Sequence, residues 1–492
     1  MTLSPEKSKR GILLIQPRSS LLDLKKNKPG PPYGILSAMR LLPRDLPIRL
    51  LDQRLDHPFE PRLAEALRDN PLFAGITTIA GPMIRHALEI TTMVKRLSPA
   101  TPVIWGGPHS LVAGELAAAH PLIDAVVEGE GEKTLAEIVQ ALSNGSALGE
   151  VKGIWIKRNN RPVLTGDRPL LDLETLPFVA YGLVGDRYFY PSAGRPTAYL
   201  ETSRGCPHRC LFCYHSVKRQ PWRAVSAEYA VMAMEALISE NPSVRHLYLT
   251  DDNYFQQKER VLEIVQGLLR KRMDLTYQVQ GAALADLERF TEQEIKTLAA
   301  SGCSRVDIGA ETASPEMAKK LGKPMDISVL HRIAGWLSKA GILPWINFMA
   351  GFPEESAEDF SLTLKEIGRL VEEFPKIMIS PLYSYYPYPG TKMYEQSVER
   401  GFQAPREIAS LAESSWRKPG TPWLSGKKQA VLDRVYFYTI FIDNKVTYYR
   451  PGMAARVLLG LFKPLARWRL KTKQFGLPLE KWIFEWFFGS EY

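Results

Sequence analysis

The chain has 492 residues, more than one ordinary compact core accommodates, and its 45% hydrophobic and 24% charged residues exclude wholesale disorder. No stretch reaches the roughly 18 uninterrupted apolar residues of a membrane span, and the first ten residues lack the apolar segment of a secretion signal, so a cytoplasmic location is expected. The net charge of +10 is concentrated, because Lys445 to Tyr492 holds nine Lys or Arg against three Glu, or +6; the remainder is too mildly basic for a general nucleic-acid-binding protein.

In chain order, the first 135 residues alternate short apolar runs with helical stretches: Gly11–Ile15, Ile35–Leu42, Ile48–Leu51, Leu63–Leu67, Ala74–Ile79, Ile84–Leu97, Val103–Trp105 and Ala125–Val127. Such alternation predicts a parallel, doubly wound, Rossmann-like α/β domain over residues 1–150. Ligands of such sheets sit beyond the carboxyl ends of the strands, which selects the loops Gln16–Tyr33, Thr77–Pro82 and Gly106–Ser110. Residues 151–192 carry a hairpin, Gly153–Val163 with Asn159 and Asn160 at its turn, and then Pro-containing connections; they are read as a linker.

A second alternation spans residues 193–400. Strands are predicted at Ala198–Thr202, Leu247–Thr250, Tyr277–Gly281, Arg305–Gly309, Trp345–Ala350 and Met378–Tyr385. Helices fall between them at Ala227–Ser239, Arg260–Lys271, Glu292–Ser301, Ile327–Ala340 and Ala357–Glu373. Six strands with intervening helices predict a partial (β/α)6 barrel of the TIM type. Residues 401–492 lose this rhythm and become aromatic and basic at Val435–Ile442, Arg456–Arg469 and Lys481–Phe488, which predicts an amphipathic helical domain. Its composition suits an anionic membrane surface or a hydrophobic anionic substrate, and equally a helical cap over the barrel mouth with a solvated basic face.

Three of the four cysteines, Cys206, Cys210 and Cys213, fall within eight residues, just after the first strand of the second alternation. They are too crowded to staple a large fold, so metal binding is their expected task. Three thiolates leave one iron of a four-iron cluster without a protein ligand. The competing reading is a zinc site completed by His208 or His215 in a zinc-stabilised binding protein, although no second ligand pair accompanies it. Cys303 reads as a small buried side chain.

The C-x3-C-x-aromatic-C spacing resembles the hallmark of the radical S-adenosylmethionine (SAM) superfamily. That resemblance implies a 4Fe-4S cluster on Cys206, Cys210 and Cys213, with Phe212 in the aromatic place beside the SAM adenine. It also implies reductive cleavage of SAM to methionine and a 5′-deoxyadenosyl radical, with an electron donor such as flavodoxin or ferredoxin. Asp251 and Asp252, in Thr250-Asp-Asp-Asn253, are candidates to receive the SAM amino group, against a plain helix cap. Gly309-Ala-Glu311-Thr312 is similar to a SAM-contacting segment and makes Glu311 a further candidate. Gly351-Phe-Pro353 and Tyr388-Pro-Gly-Thr391 resemble turns of the same family.

The first domain resembles the cobalamin-binding domain that precedes the barrel in a class of these enzymes. Pro31-Pro-Tyr-Gly34, Gly75 to Gly81, Trp105-Gly-Gly-Pro-His109 and Glu128-Gly-Glu-Gly-Glu132 carry the likeness. Thr77, Thr78, Gly81, Gly106 and Gly107 are small enough to let cobalamin approach the strand ends. The Asp-x-His-x-x-Gly loop of cobalamin domains that ligate cobalt through histidine is missing, since Gln16–Tyr33 contains no histidine; the resemblance then implies cobalamin held without a histidine ligand, as in several members of the class. His57 reads as a surface turn residue and His109 as a residue ordering its loop.

The class implies methylation of an unactivated carbon in a small molecule or lipid, with Tyr383, Tyr385, Tyr386 and Tyr388 bordering the substrate space or serving as core. The alternative is a cobalamin-independent cyclisation, rearrangement or carbon–heteroatom bond formation.

Overall fold

Runs such as Ile12-Leu-Leu-Ile15, apolar at every position, become central strands because helices cover both faces of a parallel sheet. The computed structural model describes residues 10–19, 29–189, 191–192, 195–217, 221–323, 325–413, 420–444 and 453–488, with backbone alone for 191–192, 413, 453–459 and 486–488. The chain divides into two units, residues 1–188 with 404–415 and residues 189–403 with 416–490.

The first unit runs β1 (Ile12–Gln16), α1 (Tyr33–Ala38), β2 (Ile48–Asp52), α2 (Phe59–Arg68), β3 (Ala74–Thr77), α3 (Met83–Leu97), β4 (Val103–Gly106), α4 (Ser110–Ala119), β5 (Ala125–Val127), α5 (Gly131–Ser143), β6 (Ile154–Arg158) and β7 (Arg161–Leu164). The strand order is β2-β1-β3-β4-β5-β6-β7, parallel from β2 to β5. Asn159 and Asn160 both adopt positive φ, as a two-residue turn between twisted strands requires. The hairpin they close is not a linker, because β6 pairs antiparallel with β5 and completes this sheet. Residues 165–188 also belong to this unit, with Arg187 paired to Asp56. Ile12, Leu14, Phe73, Ile104, Ile138 and Ile154 form its core.

The second unit begins with β8 (Pro191–Ser192) and β9 (Arg195–Leu200), then the short pair β10 (Ser203–Arg204) and β11 (Arg223–Ala224). It continues α6 (Ala227–Glu240), β12 (His246–Leu249), α7 (Lys258–Lys271), β13 (Thr276–Ala283), α8 (Leu284–Leu287), α9 (Glu292–Ala300), β14 (Cys303–Glu311), α10 (Pro315–Lys320), α11 (Ile327–Ala340), β15 (Leu343–Ala350), α12 (Ala357–Glu373), β16 (Met378–Ile379), β17 (Tyr383–Ser384) and α13 (Lys392–Glu399). Strands β9, β12, β13, β14, β15 and β16 lie side by side and parallel, the partial barrel expected from sequence.

Helix α14 (Ser410–Glu413) returns to the first unit, and α15 (Gly426–Phe441), α16 (Met453–Thr472) and α17 (Leu479–Phe488) close the chain. An open sheet edge exposes backbone donors, and α15 with the residues just after it satisfies two of them. Asp443 accepts from the Ile379 N–H at 2.8 Å and Thr439 from the Leu382 N–H at 2.9 Å. Helix α16 packs on α15 and α12, around an aromatic cluster of Phe437, Phe441, Phe462 and Phe484. These helices therefore cover the edge of the sheet, and Trp423 and Leu424, ahead of α15, reach Gly351 at the strand ends.

Candidate active site

The cysteine loop leaves the carboxyl end of β9 and is laced to the residues that follow β12. Asp251 accepts from the Thr202 N–H at 3.1 Å, from the Thr202 hydroxyl at 2.7 Å and from the Ser203 hydroxyl at 2.5 Å. Asp252 accepts from the Gly205 N–H at 2.8 Å and meets His215 Nε2 at 2.8 Å. Asn253 donates to Asp286 at 2.7 Å, and the same carboxylate oxygen meets His208 Nε2 at 2.8 Å. The loop is thus held before, between and after its cysteines, which fixes their backbone ahead of any ligand. Asp251 is 1% exposed, and these bonds make it an anchor of the loop.

Gly281 makes that approach possible. A Cβ there would lie 2.1 Å from the Asp251 carbonyl oxygen and 2.5 Å from that of Asp252, both backbone atoms that cannot step aside. Gly281→Ala is expected to cost about 3 kcal/mol or more by forcing β13 from the β12 loop; an unchanged thermal melt would count against this account.

Burial raises the thiols, to about 11 at Cys206 and about 12 at Cys213, and lifts Cys210 as well. Lys323 opposes this at all three. Its ammonium lies 2.8 Å from Glu311 Oε1, with side chains 20% and 11% exposed. Burial disfavours the ammonium, but Glu311 and the thiols of Cys210 and Cys213 outweigh it and hold Lys323 above its ordinary value. Gly309 leaves room for this pair, since a Cβ would meet Glu311 Oε1 at 2.6 Å and Lys323 Nζ at 2.8 Å. Glu311 adopts φ +65°, a left-handed conformation that costs a non-glycine residue energy.

The donor set suits a cluster better than a single ion. His208 and His215 are committed to Asp286 and Asp252, and among the described residues no three Cys, His, Asp or Glu side chains converge on one metal position. A tetrahedral zinc site needs that convergence, whereas a four-iron cluster holds its thiolates apart at separate irons.

Beside the cysteines, Phe212 packs against Phe352 with ring centroids 5.9 Å apart, and Phe352 stacks on Tyr385 at 5.3 Å. Tyr385 and Tyr386 are buried and serve as core, while Tyr383 and Tyr388 remain partly exposed. At the Gly351 turn, Glu355 accepts from the Gly351 N–H at 2.6 Å, and burial pushes its carboxyl up to about 8. Burial likewise lifts Glu201, paired with Arg204 at 2.6 Å, to about 7. Sequence reasoning missed Lys323, Glu355 and Glu201; placement just after β15 and β9 could have singled out Glu355 and Glu201, whereas Lys323 lies in the connection after α10.

In the first unit the loops after β3 and β4 interlock. The Thr78 N–H and hydroxyl donate to the Gly106 carbonyl at 2.8 and 3.1 Å. Gly107 adopts φ +105°, where a Cβ would meet the Thr78 carbonyl oxygen at 2.6 Å and Thr77 Oγ1 at 2.9 Å. Gly81, at φ +97°, begins the turn into α3. His109 is 2% exposed, and neither ring nitrogen has a hydrogen-bond partner among the described residues. It therefore does not order its loop by hydrogen bonding, and burial lowers it to about 4, leaving a neutral ring. His57 is exposed, and most of the loop after β1, residues 20–28, lies outside the described residues.

Known proteins share both units. The Radical SAM superfamily model matches residues 200–367, and the B12 binding domain model matches residues 24–139. An uncharacterized methyltransferase of Pyrococcus horikoshii is 27% identical over 412 residues, covering 83% of this chain and 85% of that protein. Among solved structures, the cobalamin-dependent S-adenosylmethionine radical enzyme OxsB, with aqua-cobalamin and S-adenosylmethionine bound, aligns with a TM-score of 0.75 at 16% identity, over 97% of this chain and 75% of its own. The radical S-adenosylmethionine methyltransferase TsrM from Kitasatospora setae, with cobalamin and a [4Fe-4S] cluster bound, aligns with a TM-score of 0.64 at 20% identity, over 81% and 80%. At these identities the two structures speak for the fold, while the matched domains and the laced cysteine loop speak for the family. The chain thus carries a domain of the B12-binding family over residues 24–139, followed by a domain of the radical SAM superfamily over residues 200–367.

Proposed function

We propose that this enzyme is a cobalamin-dependent radical SAM methyltransferase acting on an unactivated carbon of a small molecule or lipid. The observation that carries the reading is a three-cysteine loop, rigidly laced at the barrel mouth, in a chain whose first domain matches the B12-binding family. The cluster on Cys206, Cys210 and Cys213 would pass an electron to bound SAM, and cobalamin would supply the methyl group.

The chain's own residues support this by binding and positioning. Lys323 offers a cation beside the thiols, suited to the SAM carboxylate, and the strained Glu311 aims that cation. Glu311 and Asp252 are the acceptors left for the SAM amino group once Asp251 is assigned to the loop. Phe212, against Phe352, gives an apolar edge for the adenine. In the first unit, Gly81, Gly106, Gly107 and Thr77 keep the strand ends low for a corrin, with Thr78 bracing their two loops. The neutral ring of His109 has one donor and one acceptor, which suits an amide side chain of that ring system. A one-electron reductant such as flavodoxin or ferredoxin completes the cycle.

The test is anaerobic incubation of reconstituted enzyme with reductant, cobalamin, metabolite and lipid extracts, and SAM labelled in its methyl group. Label in a product, dependent on cobalamin, is the expected result. 5′-Deoxyadenosine without label transfer would move the assignment to a ring closure, rearrangement or heteroatom bond formation. Zinc in place of iron would overturn it.

Glu355 gives a prediction that needs no substrate. Its folded-state value, about 8, lies above the ordinary carboxyl range, so its contribution to stability is full at acid pH and is lost as pH rises through about 8. Glu355→Gln is expected to hold the turn and to flatten the fall in melting temperature between about pH 4.5, the ordinary carboxyl value, and about pH 8. Parallel wild-type and variant curves would refute the assignment.

A further inference from the structure

Helices α16 and α17 meet at an elbow that is fixed on its inner side. Phe462 packs on Phe484 with centroids 5.9 Å apart, Arg469 reaches Glu480 at 2.7 Å and the Leu477 carbonyl at 2.7 Å, and Lys481 pairs with Asp433 at 2.9 Å. With that face committed, Leu461, Trp468, Leu477, Leu479, Trp482 and Ile483 point outward and are 50–70% exposed. The other large exposed apolar side chains among the described residues are scattered singly, as on any soluble protein. Six within one elbow, two of them tryptophan, form a patch of the kind that marks an interaction surface.

The charge around the patch says what it meets. Among the described residues, Lys463, Arg467, Arg469, Lys471 and Lys473 accompany it, and the stretch from Leu461 to Leu479 holds no Asp or Glu. A second copy docking through the same patch would set this basic rim against itself, since a twofold contact apposes identical surfaces. Leucine and isoleucine offer a nucleic acid neither stacking faces nor phosphate contacts. An anionic lipid surface satisfies both halves, taking the apolar side chains among its acyl chains and the cations at its headgroups. Tryptophan suits the boundary between the two, with an apolar ring body and one N–H donor. No helix of the described residues is long and apolar enough to cross a membrane, so contact would be peripheral.

We infer that the α16–α17 elbow is a docking site for anionic membrane lipid, with Trp468, Leu477 and Trp482 entering the interface and the exposed Lys471 and Lys473, at the end of α16, holding the headgroups. The site stands apart from the methyl-transfer reading, because it requires neither cluster nor cobalamin. Its test is co-sedimentation of the full-length protein with phosphatidylcholine vesicles, with and without phosphatidylglycerol, at low and high salt. Binding should require phosphatidylglycerol, weaken with salt and shift the tryptophan emission to shorter wavelength. Trp468→Ser with Trp482→Ser should weaken binding at least about tenfold while melting temperature and iron content stay at wild-type levels. Three results would each overturn the inference: no binding by the intact protein, equal binding to neutral vesicles, or undiminished binding by the double variant. A wild-type dimer that the double variant abolishes, without vesicle binding, would instead assign the patch to a second copy.

Discussion

Cys210→Ala is expected to reduce the iron bound after anaerobic reconstitution from about four atoms per chain to near none, and to abolish SAM cleavage. Cys303→Ala is expected to change neither. All four residues carry the same thiol, and burial raises each of them above the ordinary cysteine value. What separates them is position. Cys206, Cys210 and Cys213 share one loop whose backbone is tied by Asp251, Asp252 and Asp286, with the Lys323 cation beside it. Cys303 opens β14, is 4% exposed, and turns its thiol to the Arg305 carbonyl at 3.9 Å. Equal iron in wild type and Cys210→Ala, or iron loss in Cys303→Ala, would place the cluster elsewhere. Sulfide measured in parallel distinguishes a cluster from adventitious iron.

The two alternations of apolar runs were legible because each strand is short, apolar and bounded by turn residues, which local sequence reports well. The hairpin of residues 154–164 was legible as a hairpin from its Asn-Asn turn. Its membership of the first sheet was not, because periodicity does not say which edge a hairpin joins. Cysteine spacing announced the cluster loop, yet the purpose of Asp251 depended on whose hydroxyl groups it meets, and those lie 48 and 49 residues away. His109 shows the converse: a loop rich in glycine suggests a histidine that orders it, but both ring nitrogens stand without hydrogen-bond partners among the described residues. Lys323 carried no signal at all. It follows α10 in a short connection, twelve residues beyond Glu311, and only the return of that helix and the positive φ at Glu311 bring the two charges together.

That convergence makes Lys323→Met the most informative single change. Removing one member of a largely buried pair strands the other, and with side chains 20% and 11% exposed the loss should be about 2–3 kcal/mol, below that of a fully buried pair. Cluster assembly should suffer separately. Iron binds thiolate, so each cysteine must release its proton, and Lys323 favours that release at all three positions. Without it the thiols climb further, and the pH at which iron and sulfide uptake is half complete should move upward. Adding Glu311→Gln should restore stability, because no stranded charge remains. It should also relieve Cys210, which Glu311 raises, while Cys206 and Cys213 still lack the opposing effect of Lys323. The double variant would then be stable and still assemble its cluster at higher pH than wild type. An uptake midpoint in Lys323→Met that matches wild type would mean that this cation serves the ligand beside the cluster and has no part in forming it.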